Sequence, residues 1–222
     1  MLDTSLKDLS RMVSRDEKIL WFAKPNKKCF IFECIFNRML PFALIWLLFD
    51  GFFIFGLLTA KNGSEELGFI IPFFAFHLMP VWIYLAGAIT CFIKYKNSAY
   101  IITTKGVYIS SGVISRSQEM KPFTDLSHIN IHRGFFDQIF GVGDVVLTCA
   151  HHSHSSRHRS GLNGFAICDI PDYERVYKMV SDLQTDIYSD TMYPNALRPE
   201  NNPGYNTRYE KYPETRLDDG RF

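Results

Sequence analysis

Two long apolar runs constrain this chain more than any other feature. From Met39 to Leu58 it reads MLPFALIWLLFDGFFIFGLL, and from Leu67 to Ile93 it reads LGFIIPFFAFHLMPVWIYLAGAITCFI. An α-helix rises about 1.5 Å per residue, so about twenty apolar residues cross a hydrocarbon core about 30 Å thick. As core helices of a soluble protein, runs apolar on every face would need a large surrounding protein, and the remaining residues are too few and too polar to supply one. The sequence therefore predicts transmembrane helices at 39–58 and 67–93, joined by an extracytoplasmic loop at 59–66, with the second kinked at Pro72 and Pro80. The first run begins too late for a cleaved signal peptide and no A-x-A-like site follows it, so both spans are expected to remain.

Charge sets the expected orientation. Lys24, Lys27, Lys28 and Arg38 precede the first run, and Lys94 and Lys96 follow the second, whereas the loop carries Lys61 against Glu65 and Glu66. Positive charge stays on the cytoplasmic side, so a multi-pass protein of the plasma membrane with both termini cytoplasmic is predicted, its six flanking bases meeting the lipid surface. Segment 1–38 includes Leu2, Leu6, Leu9 and Val13 at helical spacing, a short amphipathic helix for the membrane or for the domain that follows.

Asp50 and His77 interrupt the apolar runs at similar distances from the connecting loop, so an antiparallel hairpin puts them at similar depth. A carboxylate left alone in lipid costs several kcal/mol, which predicts that the two face each other or a partner protein. Three roles remain open: structural glue or an assembly contact, snorkelling to interfacial water, and a proton or ion pathway.

The 24 Lys and Arg nearly cancel the 23 Asp and Glu, and no Arg-rich helix occurs, which speaks against nucleic acid as a partner. Five cysteines (Cys29, Cys34, Cys91, Cys149 and Cys168), odd in number and without C-x-x-C spacing, suit reduced structural thiols.

Past Lys94 the pattern becomes short β-rich runs between turn residues. SAYIITT, VYIS and GVISRS form a predicted three-stranded meander turning at Lys105-Gly106 and Ser111-Gly112. In HINIH, Ile129 and Ile131 alternate with His128, Asn130 and His132, giving one apolar face. DVVLTCA and GFAICDI supply two more strands, and PDYERVYKMVSDLQ repeats Tyr173, Val176, Tyr177, Val180 and Leu183 at helical spacing. The succession AYIITTKGVYISSGVISR, HINIHRGFFDQIFGVGDV, a strand pair and a terminal helix resembles the membrane-associated bacterial PH-like family. EKILWFAKP and the two apolar runs are similar to that family's N-terminal layout, so the resemblance covers about residues 16 to 185. It implies an α+β membrane protein: a two-helix transmembrane hairpin, then at 94–188 a PH-like bent antiparallel sheet or barrel with a C-terminal capping helix, used for recognition rather than catalysis.

Basic and acidic residues balance between Ala99 and Leu183, which lends little support to specific binding of anionic lipid. His151, His152, His154 and His158 in HHSHSSRHRSG are dense enough to hold a transition metal, yet their spacing fits no closed zinc site. The Tyr- and Pro-rich stretch 189–222 has almost no aliphatic residues and is expected to be a disordered tail. No nucleophile elbow, P-loop or H-E-x-x-H is present, so the sequence predicts no enzyme and implies no cofactor. The expected role is a membrane-anchored interaction module for a protein partner, a second copy or lipid. The alternative is a metal-dependent or proton-coupled membrane protein using the His-rich loop or Asp50 with His77.

Overall fold

The computed structural model describes residues 4–59, 67–149, 165–192 and Thr215. The chain forms two compact units, one of Met1–Phe30 with Lys94–Phe222 and one of Ile31–Ile93. The described residues hold two antiparallel sheets and seven α-helices, an α+β architecture consistent with a PH-like fold.

In the first unit, β1 (Ile19–Ala23), β2 (Ala99–Thr103), β3 (Gly106–Gly112) and β4 (Arg116–Pro122) form a sheet in that order. β1 pairs with β2 through Trp21 opposite Ile102 and Ala23 opposite Tyr100, and Leu20 and Trp21 turn into the core. The boundary predicted at residue 94 is therefore corrected: the sheet takes its first strand from the segment before the apolar runs. α1 (Thr4–Ser10) resolves its two predicted destinations, since Leu6, Leu9 and Val13 pack on Ala99, Ile101 and Tyr108 of this sheet.

The third predicted strand is also displaced. Gly112 has φ +131°, a backbone that L side chains rarely adopt, and an added Cβ would strike the Ser115 carbonyl. The chain therefore reverses through Val113 to Ser115, and the polar stretch RSQEMKP forms β4 as an edge strand. Ile114, predicted inside a strand, sits fully exposed at the hairpin tip.

The second sheet runs β5 (Leu126–His132), β6 (Gly143–Cys149), β7 (Phe165–Ile170). The register is irregular between Leu126 and His128 and regular beyond it, and of the two isoleucines expected on the apolar face Ile129 is buried whereas Ile131, nearer the end of the strand, is 38% exposed. α7 (Tyr173–Met192) carries Val176, Met179, Val180 and Leu183 fully into the shared core, and Gln184 donates to the Leu126 carbonyl at 2.5 Å. The helix continues four residues into the predicted tail, to Met192. Thr215 also departs from a featureless tail: its N–H donates to Ile19 O at 2.7 Å and its hydroxyl to Leu20 O at 2.8 Å, on the free edge of β1. Otherwise the tail from residue 193, and with it the prediction of disorder, lies outside the described residues.

α2 (Lys27–Ile35) and α5 (Met79–Asn97) carry the chain from one unit into the other; the second unit also holds α3 (Met39–Thr59) and α4 (Leu67–His77). α3 leaves apolar side chains bare, Phe52 being 77% exposed, and is long and apolar enough to cross a membrane by itself. The run predicted as one kinked span is two helices, α4 and α5, and their parts Ile71–His77 and Met79–Asn97, bent by 58°, make a second candidate span only when taken together. Pro72 lies inside α4 without ending it, whereas Pro80 has no N–H to give the Phe76 carbonyl and Val81 donates to Leu78 O instead. Cys34 and Cys91 form a disulfide with Cα atoms 6.2 Å apart, which corrects the expectation of five thiols. Motif spacing is blind to a pair separated by 57 positions and brought together by tertiary folding.

Glu17 ties β1's leading segment to the sheet, accepting hydrogen bonds from Thr103 Oγ1 at 2.9 Å and from the Tyr108 hydroxyl at 3.0 Å. Burial, followed by that bond to Glu17, pushes the Tyr108 phenol up from 10.0 to about 12. The folded state thus favours the protonated phenol: its contribution is complete below pH 10 and disappears as pH rises towards about 12. Tyr108→Phe should cost about 1–2 kcal/mol at neutral pH and flatten the fall in stability over that alkaline window, measured by chemical denaturation.

Candidate functional site

The first unit gathers basic side chains at one end. β1 runs out at Ala23, beside the start of β2 at Tyr100, so the segments leading to α2 and arriving from α5 are neighbours. Lys24 Nζ donates to Lys96 O at 3.2 Å and lies 5.1 Å from the Tyr95 ring centre, and the Phe30 and Tyr95 rings meet edge to face at 5.6 Å. Lys27, Lys28 and Lys96 are exposed there, and Lys94 is half-buried. Five of the six bases that flank the apolar runs in the sequence thus come together from segments some seventy positions apart. Arg38 is exposed in the turn before α3.

Beneath this end lies a cluster that sequence reading missed. Cys29, Asp137, Asp144 and Asp169 are all buried. Cys29 Sγ lies 3.3 Å from Asp137 Oδ1, whose other oxygen accepts the Gly134 N–H at 2.7 Å. Asp144 Oδ1 accepts the Asp169 N–H at 2.8 Å, and Asp169 O accepts the Asn26 N–H at 2.7 Å. Asp169 takes φ +55°, a left-handed backbone that Asp tolerates better than most residues and that these two bonds hold in place. Burial first, then the charge of Asp169, drives the Cys29 thiol far above its ordinary range, so it stays protonated and donates. Donor atoms of Cys29, Asp137 and Asp169 lie within 4.8 Å of one another, as do those of His132, Asp137 and Asp144. A cation would have to displace the thiol proton and the backbone donors, so the arrangement works as a lock joining α2, β6, β7 and the helix Phe135–Phe140 that carries Asp137. The only sequence signal was the pair of acids in FDQIFGVGDV.

In the second unit, His77 Nδ1 lies 2.8 Å from Asp50 Oδ1, and Asp50 is 1% exposed. The histidine ring stacks on Trp46 and Phe73 at 5.2 and 5.4 Å between centres. His77 ends α4, and because Val81 N–H has gone to Leu78 the His77 carbonyl is open to the Trp46 indole N–H, which donates to it at 2.9 Å. One residue is thus fixed through backbone, ring face and ring nitrogen, an arrangement suited to holding or passing one proton between imidazole and carboxylate. His151, His152, His154 and His158 lie outside the described residues.

Two antiparallel sheets sharing a core with a long C-terminal helix define a PH-like domain, a class that generally serves as a non-catalytic interaction module. The sequence pattern of the family described as Bacterial PH domain matches residues 50–184, more than half of the chain, and the chain belongs to that family. The match starts inside α3 and ends within α7, so it takes in the apolar helices α4 and α5 but not β1. No curated protein and no solved structure matches the chain.

Removing the imidazole leaves the Asp50 carboxylate buried with no compensating donor. His77→Ala is expected to cost about 1–3 kcal/mol of stability in detergent, and adding Asp50→Leu to it should restore part of that loss. Thermal unfolding of the two singles and the double measures the coupling; strictly additive losses would show that the pair does not interact.

Proposed function

We propose that this protein is a membrane-anchored, non-catalytic interaction module whose PH-like unit binds a protein partner or lipid at the cytoplasmic surface of the plasma membrane. The supporting observation is that the chain leaves the PH-like unit and returns to it at one basic end, and that the excursion between is a set of helices with bare apolar faces. In this reading α3 is one span and the bent pair α4–α5 is the other, and the lysines of the exit end meet anionic headgroups. Short covalent connections then hold the unit against the surface, raising the effective concentration of whatever it recognises there. Membership of a class of domains that generally serves interaction supports recognition over chemistry.

The Asp50–His77 geometry favours a second reading, proton-coupled activity, which two helices alone enclose only by assembling with further copies. Flux of protons in reconstituted vesicles, unchanged by Asp50→Asn, would remove it.

The full-length chain should pellet with membranes after alkaline carbonate washing and require detergent for release. Recovery in the supernatant without detergent would end the anchored reading. Orientation has its own test, because Cys34 and Cys91 each lie a few residues along the chain from a join to the PH-like unit. If the unit is cytoplasmic, the reducing environment should yield two alkylatable thiols in rapidly quenched cells, whereas an intact disulfide in cells would place the unit on the oxidising side.

A further inference from the structure

We propose that the PH-like unit inserts two apolar prongs, the β3–β4 hairpin tip at Ile114 and the helix α6 (Phe135–Phe140), into the headgroup–acyl boundary of the bilayer that holds its own apolar helices. The inference rests on the anchored reading above and adds a docked orientation to it.

Both prongs are exposed and apolar. Ile114 is 101% exposed; on α6, Phe135 and Ile139, one turn apart, are 73% and 60% exposed. α6 presents this face because Asp137 is turned inward to Cys29 and the Gly134 N–H, and because Gly141, at φ +66°, ends the helix with Val142 N–H on Asp137 O. Left in water, such side chains order solvent with no return.

Hydrogen bonds place both prongs at the end of the unit from which the chain departs. Asn97, the last residue of α5, donates to Gly112 O at 3.2 Å and accepts at its own carbonyl from the Ser110 hydroxyl at 2.9 Å, which ties the hairpin end to the exit segment. α6 is tied there through Cys29 on Asp137, and Cys29 follows the Lys24 to Asn26 stretch bound to Lys96 and Asp169. Two elements distant in sequence thus project apolar side chains at the same end, among the exposed lysines. Arg133, also exposed, lies beside α6 with its Nε on Val142 O at 3.0 Å and its guanidinium 5.0 Å from the Tyr173 ring centre. Apolar tips within a rim of bases match the chemistry of an anionic bilayer interface, aliphatic below and phosphate above. The far end, where Phe123 N–H bonds Lys105 O and Thr104 N–H bonds Lys18 O, serves as an internal reference.

The test uses the full-length chain in phosphatidylcholine–phosphatidylglycerol nanodiscs, with p-benzoylphenylalanine replacing Ile114, Phe135 or Ile139 and, as references, Thr124 at the far end and Leu48 in α3. After illumination, mass spectrometry reads what each position captures. Lipid adducts at 114, 135 and 139 about tenfold above those at Thr124 are expected, the population shift that burial of one such side chain supports. Adducts at Leu48 but only Thr124-like levels at the three prong positions would overturn the docked orientation and leave anchoring intact; so would capture of a second copy of the chain at those positions in place of lipid. Absence of lipid adducts at Leu48 as well would overturn both.

Discussion

Pairing of β1 with β2 is the contact on which the rest of the architecture depends. Between Ala23 and Tyr100 the chain makes a long excursion through four helices and returns to lie antiparallel to the strand it left. Closing so long a loop has an entropic cost that grows only slowly with length, roughly 0.6 kcal/mol per doubling, and burial of Leu20 and Trp21 in the main core offsets it. Glu17, bonded to Thr103 and Tyr108, secures the strand's leading end, and Asn26, bonded to Asp169, secures its trailing end. With both ends fixed, the points where the chain leaves and re-enters the unit are held side by side.

That constraint gives the unit a polarity its composition lacks. Positive and negative charges nearly cancel over the chain, yet the two segments that meet at the exit bring exposed Lys27, Lys28 and Lys96 to one end. The acids of the same region are turned inward: Asp137 and Asp144 spend their oxygens on the Cys29 thiol and on backbone N–H groups, which keeps their charge from facing the lysines' side. Neutral composition and a basic end are therefore compatible, because burial separates the signs.

What sequence reading recovered and missed divides along the range of the interactions involved. The apolar helices and α7 were legible because their signal is local: continuous apolarity in Met39–Thr59, and a 3.6-residue recurrence of Val176, Val180 and Leu183. β1 was not placed in the sheet, since ILWFA next to an apolar run looks like interfacial chain and only its distant partner, β2, makes it a strand. β4 was misplaced because GVIS has the composition of a strand while one positive φ at Gly112 turns it into a reversal. At the candidate sites, Asp50 and His77 stood out as polar residues in apolar runs, whereas Cys29, Asp137, Asp144 and Asp169 resemble ordinary turn and cap residues until four elements converge on them.

The interruption between α4 and α5 shows why an apolar unit can tolerate, and use, a broken helix. Pro80 removes one backbone donor and the shift of Val81 N–H to Leu78 removes another, so carbonyls at the end of α4 lose the helical partners that would otherwise satisfy them. If the helices lie in hydrocarbon, as proposed, each such group would cost several kcal/mol with no water to relieve it. Indole N–H groups take that place: Trp46 reaches across from α3 to His77 O, and Trp82 reaches back to Ala75 O at 3.0 Å. Straightening the helix would return His77 O to Val81 and leave the Trp46 indole without its acceptor, so break and tryptophan stabilise each other. The same contact fixes the His77 backbone next to α3, which is what brings its Nδ1 within reach of Asp50 one turn further along that helix. A proline-enforced break thus supplies the geometry that lets a carboxylate sit among apolar side chains.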